Sequence, residues 1–222
     1  MDKKLIKSAL VKYISGVILV AALVFIPAGS MSFTRGWIFM ALLFIPMLIG
    51  GLIMLRLAPE LLKKRLTERE EGVQVIVIAL SGVMFVAAFI VSGLDYRFGW
   101  SKLSNEAVFI ASAVFLIGYG VFAEILRENE YISRTVEIQE GQRVVDTGLY
   151  GIVRHPMYSA SVLMFLAMPL ILGSLIGFYI MLVYIPIIVV RIIGEEKLLS
   201  AELSGYEEYR ARVRWRLIPL IW

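Results

Sequence analysis

Long apolar runs separated by short polar stretches set the pattern of this chain. Runs at 13–28, 37–57, 73–94 and 107–126 approach the roughly 20 residues that cross about 30 Å of hydrocarbon as a helix. A fifth run, 157–193, is too long for one crossing and is interrupted by Pro169, Gly173, Ser174 and Gly177. It predicts a tight hairpin of two helices. The pattern therefore specifies an all-α, polytopic transmembrane helix bundle: four spans plus a C-terminal helical hairpin, about six membrane helices altogether. Two amphipathic segments flank these spans. From Pro59 onward, Leu61, Leu62 and Leu66 fall on roughly one side of an interfacial helix. Near the end, Tyr206, Tyr209 and Val213 recur at spacings of three and four and, with Leu198, Leu199 and Leu203 before them, predict a helix lying across the membrane face.

Composition agrees with the pattern. Of 222 residues 59% are hydrophobic and only 18% charged, too apolar for a soluble domain of this length. Cysteine is absent and His155 is the single histidine, which excludes disulfides, thiol nucleophiles and multi-histidine or thiolate metal sites. No metal is expected. The lysines Lys3, Lys4 and Lys7 precede the first apolar run, but no small-residue cleavage site follows, so the run reads as a retained helix.

Charge sets the expected orientation. Of the 22 Lys and Arg residues, all but Arg35, Arg97 and Lys102 fall at the N-terminus, the 56–69 connection (including Arg69), the 127–154 connection (including Arg134) and the tail from Arg191. By the positive-inside rule that side, with both termini, is cytoplasmic. The net charge of +4 then reflects contact with anionic lipid head groups, with no nucleic-acid partner. Trp37 and Trp100 read as interfacial anchors on the other side. No internal repeat supports a transporter of paired halves, and no Gly-rich nucleotide loop follows a strand.

Candidate chemistry concentrates in the C-terminal part, 127–222, following an N-terminal helical part, 1–126, in one integrated membrane domain. Between Glu128 and His155 the chain turns polar, with Ser133, Arg134, Thr135, Gln139, Gln142 and Arg143 among apolar Val136, Val144 and Val145. A connection of that length in a compact protein is usually functional, and an ordered loop lining a pocket fits it. Pro156 suits the first turn of a helix, whose following amides would be free donors beside Arg154 and His155. Tyr150 and Tyr158 flank that start and suit stacking or hydrogen bonding; an interfacial Tyr-Arg-His belt is the structural alternative. Glu124, Arg127 and Glu128 are spaced to pair along one helix end. Arg191 and Glu195 share a helical face at the end of an apolar run, with Glu196 on the adjacent edge. Ionisable groups at such a depth pair or line a cavity. An Arg191–Glu195 salt bridge leaves Glu196 seeking a cationic ligand or the Arg154–His155 cluster.

The run Gly148-Leu-Tyr-Gly-Ile-Val-Arg-His-Pro-Met-Tyr158, then Arg191-x-x-x-Glu195-Glu196 and Gly205-Tyr206-x-x-Tyr209, resembles the isoprenylcysteine carboxyl methyltransferase family of integral membrane enzymes. Phospholipid methyltransferases share the outline. The likeness covers residues 129–219. It implies an S-adenosylmethionine-dependent methyltransferase with its cofactor pocket on the cytoplasmic side and a lipophilic or membrane-embedded acceptor, a carboxylate in the family's namesake. The matched cofactor positions are Gln139, Gln142, Arg143, Val144, Val145, Tyr150, His155, Pro156, Met157, Tyr158 and Glu195, with Glu196 beside it. Gln142 stands where the family has histidine. Arg191 matches the arginine placed toward the acceptor, and Arg191 and Arg154 are the candidate catalytic residues. A sterol-reductase-type enzyme using NADPH is the alternative.

Overall fold

The computed structural model describes residues 3–67, 73–129, 131–132 and 138–222. Arg69, Ser133, Arg134, Thr135 and Val136 lie outside them. Among the described residues the structure is helical, without strands. Helices α1 (Lys3–Ala28), α2 (Thr34–Leu57), α4 (Val73–Phe98) and α5 (Asn105–Glu128) realise the four predicted spans. Helix α1 begins ten residues before its apolar run because Lys3, Lys4, Lys7 and Lys12 are good helix formers, and nothing there breaks the backbone ladder. Helix α5 starts where the Ser104 hydroxyl accepts from the Ala107 amide at 3.2 Å, relieving one orphan donor of the first turn.

The long C-terminal run folds as the expected hairpin. Helix α6 (Pro156–Ile171) ascends, the chain turns at Gly173 and Ser174, and α7 (Leu175–Met181) and α8 (Tyr184–Glu202) form a return arm with a break at residues 182–183. Five apolar segments are long enough to cross a membrane: α1, α2, α4, α5 and the α7–α8 arm, with α6 a shorter apolar helix. This is a multi-pass membrane protein. Helix α3 (Pro59–Thr67) is the predicted amphipathic segment, and α9 (Tyr206–Arg212) follows the hairpin.

Two interior clusters hold the bundle together. One joins Val24, Phe39, Phe115, Met168 and Ile171 from α1, α2, α5 and α6; the other joins Ala88, Met181, Ile188 and Ile192 from α4, α7 and α8. Helices α5 and α6 pack closely at Gly118, where any Cβ would collide with the Met164 side chain and meet the Ala160 carbonyl at 3.3 Å. Small residues permit such backbone proximity in lipid, where packing rather than water exclusion drives association.

At one end of the bundle, Asp95 is 1% exposed and accepts from the Ser101 amide (2.6 Å), the Ser101 hydroxyl (2.6 Å) and the Ser174 hydroxyl (2.5 Å). Arg35 donates there to Leu103 O and Asn105 Oδ1. These bonds tie the starts of α2, α5 and α7 to the end of α4. The other end carries α3, α9, the 138–155 connection and the starts of α1 and α6. Helix α3 is tied down by Lys12 Nζ donating to the Leu66 carbonyl. Its Leu61 packs into a cluster with Ile125, Ile132 and Ala160 beside Tyr150 and Met157.

Candidate functional site

A cleft opens at this second end, between the start of α6, the end of α8, α9 and the 138–155 connection. Arg154 and His155 form its floor, and Glu196 supports them from beneath; all three are buried. Arg154 and His155 are 6% and 5% exposed, and Glu196 is 5% exposed. Glu196 Oε1 accepts from Arg154 Nε at 2.7 Å and lies 3.2 Å from His155 Nε2, while Oε2 accepts from Arg216 Nε at 2.8 Å. Such burial is tolerable only because every charge is paired and hydrogen bonded. Arg154 Nη1 donates to the carbonyls of Val213 and Arg214, at 2.7 and 2.8 Å, and Nη2 lies 2.7 Å from Glu196 Oε1. Its guanidinium is thus committed to the protein.

The same two residues fasten the tail. The Arg154 and His155 amides donate to the carbonyls of Trp215 (2.8 Å) and Arg216 (2.9 Å), and Ser159 Oγ donates to Leu217 O at 2.6 Å. No side-chain pattern announces these backbone contacts, so sequence reading gave the tail only its amphipathic roof. That roof is present: Tyr206 and Tyr209 are buried against Val144, Leu199 and Leu203, and Tyr209 Oη donates to the Tyr150 carbonyl at 2.8 Å.

Pro156 opens α6 as predicted, and two of the three amides that follow are engaged. Tyr158 N and Ser159 N both donate to the His155 carbonyl, at 3.0 and 3.1 Å. Side chains supply most of the cleft's hydrogen-bonding groups. Tyr158 Oη donates to Glu195 Oε2 at 2.5 Å and accepts from Arg191 Nε at 2.9 Å. The hydroxyl therefore stands between the acid and the base that the helical spacing places on one face. His155 bridges the carboxylates, with Nδ1 4.0 Å from Glu195 Oε1 and its ring stacked 5.7 Å from that of Tyr158.

Gln142, Arg143, Val144, Val145, Tyr150, Arg154, His155, Pro156, Met157, Tyr158, Arg191 and Glu195 all line the cleft. Gln139 and Glu196 do not. Gln139 instead shapes the loop: its amide donates to Gln142 Oε1 at 2.9 Å and its Nε2 to Tyr131 O at 2.6 Å. Glu196 sits beneath, anchoring Arg154 and His155, the partners foreseen for it. Glu124 and Arg127 pair as expected, whereas Glu128 turns away to accept from Thr147 Oγ1 (2.9 Å) and the Leu149 amide (3.2 Å). That contact pins the 3-10 turn Gly148–Gly151 at Gly148, whose φ of +45° and closeness to the Glu128 carboxylate leave no room for a side chain.

Asn129, Tyr131 and Ile132 also line the cleft and were not singled out. The signal was an Asn directly after an apolar helix: Asn129 caps α5, its Oδ1 accepts from the Tyr131 amide, and its Nδ2 donates to Tyr150 Oη, both at 2.9 Å. Burial pushes the Tyr150 hydroxyl up to about 12 and those of Tyr206 and Tyr209 higher still. All three are neutral donors at physiological pH. Tyr206 Oη is buried without a hydrogen-bond partner among the described residues.

Helices long and apolar enough to cross a membrane thus carry, at one end of the bundle, a polar cleft of acid, arginine and tyrosine. Residues 107–204, from α5 through α8 into the α8–α9 turn, match the phospholipid methyltransferase family. The match, over somewhat less than half of the chain, supports a membrane methyltransferase of the group to which the isoprenylcysteine enzymes are akin. No curated protein matches the sequence.

Proposed function

We propose that the cleft binds S-adenosylmethionine and that the protein transfers its methyl group to a lipophilic acceptor held in the membrane. The observation that carries this reading is the convergence on one cleft of the Glu195–Tyr158–Arg191 chain and the buried Tyr206 hydroxyl, which has no hydrogen-bond partner among the described residues. A buried hydroxyl without a partner costs about 1–3 kcal/mol, a cost that a polar ligand group would remove. Glu195 suits an ammonium, Tyr206 and Gln142 suit a carboxylate or ribose hydroxyls, and Tyr150 with Ile132, Leu199 and Leu203 suits an adenine ring.

When bound, the sulfonium supplies an electrophilic methyl group: the acceptor's lone pair forms the new bond as the carbon–sulfur bond breaks, its electrons remaining on sulfur. The chain contributes position and dryness. Arg191, held by Tyr158, faces the acceptor and orients a carboxylate or phosphate on it. Arg154 is a positioning residue, since its donors are spent on Glu196 and the tail. The space enclosed is about 120 Å³, against roughly 300 Å³ or more for small-molecule sites. A ligand of that size therefore needs the cleft to widen. The basic end that carries the cleft faces the cytoplasm, by the charge asymmetry of the connections.

Titration calorimetry of the purified protein with S-adenosylhomocysteine and with NADPH tests the reading. Saturable binding of S-adenosylhomocysteine, weakened at least roughly tenfold in Glu195→Ala by loss of a charged hydrogen bond, is expected. Binding of NADPH alone would overturn it in favour of a reductase. Labelled cofactor incubated with a membrane lipid extract, read by mass spectrometry, then identifies the acceptor.

A further inference from the structure

Behind the cleft, on the opposite side of α8, lies a second cavity of about 450 Å³ lined by Glu196, Lys197, Ser200, Arg210, Arg216 and Ile193. Its charges do not balance. The single Glu196 carboxylate faces two arginines, Arg154 from the cleft side and Arg216 from this one. Lys197 has no partner among the described residues. Arg210 is offset by Glu207, to which Nη1 donates at 3.1 Å, and the same Nη1 lies 3.5 Å from Ser200 Oγ. The lining thus holds unneutralised positive charge and unused N–H donors.

Its surroundings are apolar. Ile193 is exposed on the lining itself, and Val190 is exposed one turn earlier on α8. On the tail side, Ile218, Leu220 and Ile221 are exposed, and Arg216 lies 4.9 Å over the Trp222 ring. Cations set between exposed aliphatic chains and an aromatic ring mark the level where hydrocarbon meets head groups.

We infer that this cavity is a binding site for the phosphate of an anionic phospholipid, separate from the methyl-transfer cleft. The phosphate sits among Lys197, Arg210 and Arg216, the Ser200 hydroxyl donates to it, and the acyl chains run along Ile193 and Val190. A bound phosphate shares Arg216 with Glu196, so the lipid is linked through that guanidinium to the carboxylate that fixes Arg154 and His155.

Fluorescence quenching of the full chain in phosphatidylcholine vesicles tests this. With Trp37, Trp100 and Trp215 replaced by Phe, Trp222 alone reports on the site. Phosphatidylglycerol brominated on its acyl chains should half-quench Trp222 at a mole fraction at least about fivefold lower than brominated phosphatidylcholine, the selectivity of one basic side chain at an interface. Lys197→Gln/Arg210→Gln should abolish that preference, and Glu207→Gln, which frees Arg210, should increase it. Equal quenching by both lipids, a preference unchanged in the double variant, or a preference lowered by Glu207→Gln would overturn the inference. So would loss of the preference on adding inorganic phosphate at constant ionic strength, which would assign the site to a free anion.

Discussion

Glu196 holds three donors at once, Arg154, His155 and Arg216, from a position only 5% exposed. Removing one partner from a buried charged network leaves the others unpaired, at about 3–5 kcal/mol. Glu196→Ala is therefore expected to lower the thermal unfolding midpoint in detergent strongly, and Glu196→Gln less, since the amide still accepts a hydrogen bond. A midpoint unchanged in Glu196→Ala would show that the floor of the cleft is not held this way. Tyr150 gives a pH signature. Burial lifts its hydroxyl from 10 to about 12, so the folded state keeps the proton that the unfolded chain loses first. Its contribution is whole below pH 10 and is lost as pH rises toward about 12. Unfolding followed across that window should show a steeper alkaline decline in the wild type than in Tyr150→Phe.

Between elements, the decisive contacts are close backbone approach and polar ties at the ends. Helices α5 and α6 can sit against each other only because position 118 has no side chain. In Gly118→Ala, Met164 must shift, and overpacking of this kind costs roughly 1–3 kcal/mol. A lowered melting temperature is expected, with partial recovery on adding Met164→Ala; an additive loss in the double variant would argue against a direct clash. The helices themselves were legible, because a 20-residue apolar run in lipid has few options besides a helix. The hairpin was legible too, from Gly173 and Ser174. The break before Tyr184 and the early start of α1 were not, since neither changes the apolar pattern.

For the whole molecule, the hairpin returns Arg191, Glu195 and Glu196 to the end where α6 begins with Arg154 and His155. That end carries the basic connections, and its proposed cytoplasmic placement can be tested directly. The chain has no cysteine, so single substitutions at exposed Ser32 and Ser204 give unambiguous reporters. In sealed cells, a membrane-impermeant maleimide should label Ser32→Cys and leave Ser204→Cys unreacted until the membrane is opened. The reverse pattern would invert the protein and place the cleft outside.

The sequence alone determined the helical class, the pairing of the last apolar run into a hairpin, and most residues that meet in the cleft. Each follows from local rules: hydrophobic length, turn residues, and ionisable groups too costly to leave in lipid unpaired. Only the tertiary structure decided what those residues do there. Whether Arg154 reaches a ligand or the tail, and whether Glu196 lines the cleft or supports it, depend on the backbone carbonyls of Val213 and Arg214 and on which side of α8 a carboxylate faces. Hydrogen bonds to distant main-chain atoms leave no trace in side-chain spacing, so that division of labour appears only once the chain is folded.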